Sequence, residues 1–362
     1  MKIGILGAGQ LGRMLALAGF PLDFDFVFYD PATEACAAPL GQHIHAAYED
    51  EQGLAEFCVA IDVATYEFEN VPARTAEFVA ARRPLLPAPI ALTVGQDRLS
   101  EKQLFDQLSI PVPRYMPVAT REALEFAVRN IGLPAVLKTR RLGYDGKGQA
   151  VLRTPEDLDA AWARLGAQPL ILEAFVPFER ELSCLAVRGL KGELAFYPVI
   201  ENLHRDGILR TAVPCIDDPL QAEAEGHARK VIEKLGYVGV LAFEFFVADG
   251  KLLANEIAPR VHNSGHWSIE GAVCSQFENH LRAISGLPLG STALRGRSAM
   301  VNFIGSAPDS AVLAAIPGVH IHHYGKTPKP QRKVGHATLT ADSDAEFDTR
   351  WLELKRLVAA AE

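Results

Sequence analysis

The chain has 362 residues, of which 49% are hydrophobic and 22% charged, enough for two or three domains with real cores and unlike the composition of a disordered chain. A formal net charge of −8 argues against nucleic acid as a partner, although a locally basic anion site remains compatible with it. The five cysteines (Cys36, Cys58, Cys184, Cys215 and Cys274) are dispersed without zinc spacing, and no leader-like segment or long uncharged apolar run is present, so a cytoplasmic protein with reduced thiols and no membrane span is expected.

In chain order, Lys2–Leu6 reads as a buried strand, followed by Gly7-Ala8-Gly9-Gln10-Leu11-Gly12 and a helix through Ala18. Further strands are expected at Phe24–Tyr29, ending at Asp30, and at Asp62–Phe68, ending in Glu67 and Glu69. This alternation predicts a Rossmann-like parallel α/β domain over residues 1–92, with Pro84, Pro87 and Pro89 marking its exit. A helix over Asp97–Leu108 carries Arg98, Lys102 and Gln103.

From Pro134 the texture changes to longer strands with hairpin signals: Ala135–Thr139, Gln149–Arg153, Leu170–Val176, Glu181–Arg188 and Leu194–Ile200, with helices over Pro155–Leu165 and Leu220–Leu235. Leu241–Ala248 and Leu252–Ala258 form a hairpin about Asp249-Gly250, and Glu270–Ile284 reads as one helix closed by Ser285-Gly286. These segments compose a two-part α+β domain over residues 93–292. A smaller β-rich domain, 293–362, holds a basic loop over Lys326–Lys333 and a last helix, Ala345–Ala361.

The candidate chemistry falls into five places. Gly7, Gly9 and Gly12 with Asp30 downstream have the spacing of a dinucleotide loop, but the same glycines serve tight helix–strand packing, and no hydride-transfer constellation follows. Lys138 ends a strand just before Gly143-Tyr144-Asp145-Gly146-Lys147-Gly148; a cation beside a glycine-rich loop suits triphosphate binding, while a long hairpin loop with an exposed lysine is the plainer alternative. Glu173-Ala174-Phe175-Val176, with Glu181 nearby, can serve an adenine slot and ribose hydroxyls, or simply face water. Lys326, Lys329, Arg332 and Lys333 can hold a substrate phosphate or form a solvated loop.

Glu244 and Glu256 are the metal candidates, because like charges opposed across a sheet need a cation. Their register decides the matter. A two-residue turn at Asp249-Gly250 with regular pairing opposes Glu244 to Asn255 and sends Glu256 to the other face. A longer loop or a bulge opposes Glu244 to Glu256, and the metal reading requires one of these. Beyond them, Arg260 and His262 suit a carboxylate or bicarbonate, with Asn263 and His266 beside them.

These pieces, in this order, resemble the ATP-grasp superfamily, and within it the N-carboxyaminoimidazole ribonucleotide synthetases of purine biosynthesis. The similarity is carried by Gly7–Met14, Tyr66-Glu67-Phe68-Glu69-Asn70-Val71, Gln96-Asp97-Arg98, Lys138-Thr139-Arg140, Gly143–Gln149, Asn255–Trp267 and Arg332-Lys333-Val334-Gly335-His336. Leu142 departs from the pattern, where the family has a further glycine.

The resemblance implies a ligase that couples ATP and bicarbonate through carboxyphosphate to carboxylation of the exocyclic amine of aminoimidazole ribonucleotide. It further implies that Arg98, Lys138, Gly143, Tyr144, Asp145, Gly146, Lys147, Gly148, Gln149, Glu173, Ala174, Phe175, Val176, Glu181, His204, Asn255 and Glu256 bind ATP, and that Glu244 and Glu256 hold Mg2+. Tyr144, Asp145, Lys147, Arg260 and His262 would surround the reacting groups. Gln10, Leu11, Glu69, Asn263, Ser264, Lys326, Arg332 and Lys333 would bind the ribonucleotide, and a homodimer is expected. The rival expectations are a formate-dependent glycinamide ribonucleotide ligase, a nicotinamide-dependent oxidoreductase built on Gly7–Gly12, and a catalytically inactive ATP-binding regulator.

Overall fold

The structure is a computed structural model, and it describes residues 1–143 and 147–361. The first unit runs β1 (Lys2–Leu6), α1 (Gln10–Gly19), β2 (Asp25–Tyr29), β3 (Gln42–Ile44), α2 (Glu51–Ala60), β4 (Val63–Tyr66), α3 (Ala73–Ala80) and α4 (Pro89–Gly95). Its strands pair in parallel in the order β3-β2-β1-β4. All four residues of β4, and all but the first of β1 and β2, are buried, as expected for strands covered on both faces. The carboxyl ends of β2 and β4 deliver Asp30 and Glu67 to the start of α1.

The second unit runs α5 (Arg98–Gln107), β5 (Tyr115–Val118), α6 (Arg121–Ile131), β6 (Ala135–Thr139), β7 (Gln149–Leu152), α7 (Asp157–Leu165) and β8 (Leu170–Ala174). Its antiparallel sheet has the order β5-β8-β6-β7. Along β6 the residues Ala135, Leu137 and Thr139 are buried while Val136 and Lys138 are half-buried on the other face, the period-two pattern of a sheet with one covered side. Helices α6 and α7 cover that side, with Leu124, Ala127, Leu158 and Ala161 packed against Leu137, Leu152 and Leu172.

The remaining elements are β9 (Arg180–Arg188), β10 (Leu194–Phe196), β11 (Ile200–Arg205), β12 (Ile208–Pro214), α8 (Gln221–Lys234), β13 (Gly239–Ala248), β14 (Lys251–Ala258), α9 (Ser268–Gly271), α10 (Gln276–Ser285), β15 (Arg297–Ile304), α11 (Ser310–Ala314), β16 (Val319–His323), β17 (Lys333–Ala341) and α12 (Asp344–Ala361). Their strands form one sheet in the order β14-β13-β9-β11-β12-β15-β17-β16, with β10 on β9. The antiparallel pairing of β12 with β15 joins the C-terminal strands to this sheet. No helix among the described residues is long and apolar enough to cross a membrane.

Two expected elements are divided. Leu194–Ile200 is not one strand, because the chain breaks between β10 and β11. Glu270–Ile284 is not one helix: α10 starts afresh at Ser275, whose hydroxyl accepts from the Glu278 N–H at 3.1 Å, and only its end, at Gly286 with φ 78°, is as expected.

The β13–β14 hairpin takes the bulged alternative. Asp249 and Gly250, with φ of 50° and 68°, form a two-residue turn, and Ala248 pairs with Lys251. The regular register holds as far as Phe245 opposite Ala254. Asn255 is then an extra residue, and Glu256 falls opposite Glu244.

Candidate active site

A cavity of about 770 Å³ opens where the three units meet. Of the residues singled out in the sequence it is lined by Gln10, Leu11, Glu69, Arg98, Gly143, Lys147, His204, Glu244, Glu256, Arg260, His262, Asn263, Lys326, Lys329, Arg332 and Lys333. Lys138, Gly148, Gln149, Glu173, Ala174, Phe175, Val176, Glu181, Asn255 and Ser264 do not line it. Tyr144, Asp145 and Gly146 lie outside the described residues.

Those set back from the wall still form local pairs. Glu173, on β8 and 2% exposed, accepts from the Lys138 ammonium at 2.9 Å, and the buried Lys102 ammonium lies at 3.9 Å. Burial works against ionisation of Glu173, but Lys102 and then Lys138 outweigh it and hold the carboxyl at about 2. The other oxygen of Glu173 has no hydrogen-bond partner among the described residues. Glu181, on β9, pairs with His204 Nδ1, on β11, at 2.7 Å. Burial works against the His204 cation, yet the Glu181 carboxylate raises the imidazole above its ordinary value. Ser264 is buried beneath His262, its hydroxyl 2.8 Å from Nδ1.

In the wall, burial and then the facing Glu256 push Glu244 up to about 7, with His204 and Arg260 offsetting part of the shift. His262 is driven well below its ordinary value by burial and by Arg260, so it is a neutral imidazole. Its Nδ1 accepts from the Ser264 N–H at 3.3 Å, which leaves the proton on Nε2, 3.2 Å from Glu244 Oε1. Arg260 keeps its charge through a hydrogen-bonded ion pair with Glu69. Asn263 is fixed by a reciprocal amide pair with Asn302, at 3.1 and 2.7 Å. In the basic loop Lys326 bonds Gln10, and Arg332 bonds Glu34 at 3.0 Å.

The glycine loop at α1 is filled by the chain itself. The Glu67 carboxylate accepts from the Gly9 N–H at 2.5 Å and the Gly12 N–H at 2.8 Å, and Asp30 accepts from the Ala8 N–H at 2.6 Å. The anion cradle that a dinucleotide phosphate would need is occupied by these two carboxylates, which speaks against the oxidoreductase reading.

Several lining residues escaped the sequence reading as site candidates: Gln96, Glu101, Arg140 and the turn Gly207-Ile208-Leu209. Gln96 donates to the Glu69 and Val71 carbonyls at 2.7 and 2.6 Å, so it shapes the loop that carries Glu69. The sequence carried no usable signal for the turn, because β11 buries Asn202 and exposes Leu203, the reverse of an apolar pattern.

Two antiparallel sheets beside a parallel α/β unit, with a carboxylate pair and a basic loop in one cavity, define an ATP-grasp ligase. Residues 103–277 match the ATP-grasp domain, residues 1–96 the ribonucleotide synthetase preATP-grasp domain, and residues 298–350 the phosphoribosylaminoimidazole carboxylase C-terminal domain. The chain is 55% identical over 360 residues to the N5-carboxyaminoimidazole ribonucleotide synthase of Pseudomonas aeruginosa, covering 99% of this chain and 100% of the relative. The crystal structure of the Thermus thermophilus synthetase superposes with a TM-score of 0.94 at 53% identity, covering 99% of this chain and 98% of that one. That of the Aspergillus clavatus enzyme, in complex with ADP and 5-aminoimidazole ribonucleotide, superposes with a TM-score of 0.91 at 31% identity, covering 99% and 98%. The chain belongs to the N5-carboxyaminoimidazole ribonucleotide synthase family.

Proposed function

We propose that this cavity carries out the family's reaction, the ATP-dependent carboxylation of the exocyclic amine of 5-aminoimidazole ribonucleotide in purine biosynthesis, with ADP and phosphate as the other products. The observation that carries the assignment is the bulged register that brings Glu244 and Glu256 together in the same cavity as Arg260, His262 and the basic loop.

The Glu244–Glu256 pair fits a divalent cation, since burial and mutual repulsion already push Glu244 up to about 7. Two carboxylates leave coordination positions that nucleotide phosphates and water can fill. Mg2+ bound there would supply neutralisation of phosphate charge during transfer.

ATP would lie along Arg98, Lys138, Glu173, Glu181 and His204, its phosphates under the loop 143–149. Carboxyphosphate hydrolyses readily, so the chain has to exclude water while it exists. Arg260, fully charged, offsets the anion, and His262, neutral, offers a hydrogen bond in place of a second charge. Lys326, Arg332 and Lys333 hold the ribonucleotide phosphate, with Gln10, Leu11, Glu69, Asn263 and Ser264 completing its side of the cavity. Tyr144, Asp145 and Lys147 meet the reacting groups, Asp145 orienting the amine. Domain limits near residues 92 and 292 and a homodimer belong to the same reading.

The test is ADP release with ATP, Mg2+ and bicarbonate, with and without 5-aminoimidazole ribonucleotide. Strong stimulation, with labelled bicarbonate entering an acid-labile product, supports the assignment. Turnover that ignores this ribonucleotide but responds to glycinamide ribonucleotide with formate would replace it.

A further inference from the structure

Helix α5 buries two adjacent ionisable side chains, Glu101 and Lys102, which are 2% and 1% exposed. A polar group withdrawn this far from water is tolerated only where its bonds are satisfied. Both side chains spend their bonds on one short stretch of β14. The Lys102 ammonium donates to the carbonyls of Ala254 at 3.0 Å and Asn255 at 2.7 Å. Glu101 accepts from the Ile257 N–H at 2.6 Å.

These three backbone groups bracket the bulge. An extra residue in one strand interrupts the ladder and strands backbone groups that a buried position cannot leave unpaired. Here a lysine and a glutamate from a helix 152 to 156 residues away in sequence bind them. The competing arrangement is the regular ladder, with Glu244 opposite Asn255 and Glu256 turned to the other face. Lys102 also reaches Glu173 at 3.9 Å, so the same ammonium ties the bulge to the sheet that carries Lys138.

We propose that Glu101 and Lys102 are positioning residues that lock β14 into its bulged register and thereby hold Glu256 opposite Glu244. The inference rests on the reading of that pair as the cation site, and its test separates the two. Lys102→Met keeps the stem and removes the donor; Glu101→Leu removes the acceptor; Glu101→Gln keeps an acceptor oxygen. Two readouts besides turnover are taken on the full chain: Mn2+ binding in the presence of ADP, by electron paramagnetic resonance, and amide exchange of the segment 253–258.

Lys102→Met and Glu101→Leu are expected to weaken Mn2+ binding about tenfold or more and to speed exchange in that segment. Glu101→Gln is expected to restore slow exchange, and affinity for 5-aminoimidazole ribonucleotide alone should stay near wild type in all three. Wild-type exchange in both Lys102→Met and Glu101→Leu overturns the proposal, as does lost Mn2+ binding with unchanged exchange, which would make Lys102 a direct contact of the nucleotide. If Lys102→Met fails to fold, the Glu101 pair decides by the same criteria. Glu256→Gln is the reference: normal Mn2+ binding there removes the cation reading, while the exchange data still judge the brace.

Discussion

Replacing Glu173 by Gln should cost about 3 kcal/mol locally and unsettle the junction of the two antiparallel sheets. The figure follows from the carboxyl being held at about 2 instead of its ordinary 4.5, a difference of 2.5 units at about 1.4 kcal/mol each. The group is 2% exposed, so solvent screening removes little of it. The sign is that of a depressed carboxyl: the contribution is complete above the unfolded value near 4.5 and is lost as pH falls toward 2. The gap between wild type and Glu173→Gln is therefore about 3 kcal/mol at pH 7 and about 1 kcal/mol at pH 3. Several domains do not unfold in one step, so the assay is amide exchange of β6 and β8, which reports their local opening. Lys102→Met in the Glu173→Gln background should cost less than it does alone, with a coupling of about 1–2 kcal/mol, because the lysine then loses a partner already gone. Lys138 keeps the coupling from being larger, since it shares the same oxygen at 2.9 Å. Exchange in Glu173→Gln within about 0.5 kcal/mol of wild type, or strict additivity of the two changes, would refute the claim that this ion pair is a stabilising contact.

Gly148→Ala should raise the KM for ATP severalfold, because φ is +72° there and an added Cβ would stand 2.6 Å from Thr139 Oγ1. Gly250→Ala is the control: φ is +68° but nothing lies within 4 Å, so about 1 kcal/mol of strain and near-normal KM are expected from thermal melts and steady-state kinetics. Glu67→Ala should cost about 1–3 kcal/mol, read by exchange at the start of α1, because the Gly9 and Gly12 amides lose the acceptor they share. Arg332→Ala should raise the KM for the ribonucleotide with little change in that for ATP, and wild-type values for both would remove it from the phosphate site.

How far the sequence reached can be argued from single residues. The parallel unit was legible because β1, β2 and β4 are continuous apolar runs, and β6 because its buried and open residues alternate. Strand β11 was lost because its pattern is inverted. Asn202 is buried, bonded to Ser183 at 2.5 Å, while Leu203 is 59% exposed, so periodicity places the wrong residues inside. The break before α10 was written locally, since Ser275 and Glu278 have the spacing of a cap, but the apolar run across Ala272-Val273-Cys274 masked it. The hairpin register was open in a sharper sense. Asp249-Gly250 specifies the tight turn, and the bulge that follows is braced by Glu101 and Lys102, a contact that no window of local sequence contains.

The cavity and the residues around it share one electrostatic pattern. Arg260 faces Glu69, Lys138 faces Glu173, Arg332 faces Glu34 and Arg98 lies 3.7 Å from Glu256. Each of these cations is set in place by a carboxylate of the chain, which fixes its position at little cost in mobility. An incoming anion therefore competes with a carboxylate already in contact, and point charge alone does not win that contest. A phosphate or bicarbonate that binds has to offer more oxygens, or bring a cation that takes over the displaced carboxylate. Glu256 is the carboxylate for which such a cation is at hand, since a divalent ion between it and Glu244 would release Arg98 toward the phosphates. On this reasoning Glu256→Gln frees Arg98 without a metal, so it should keep measurable ADP binding while turnover collapses. Loss of both together would mean that the Arg98–Glu256 contact holds the site in shape and does not guard it.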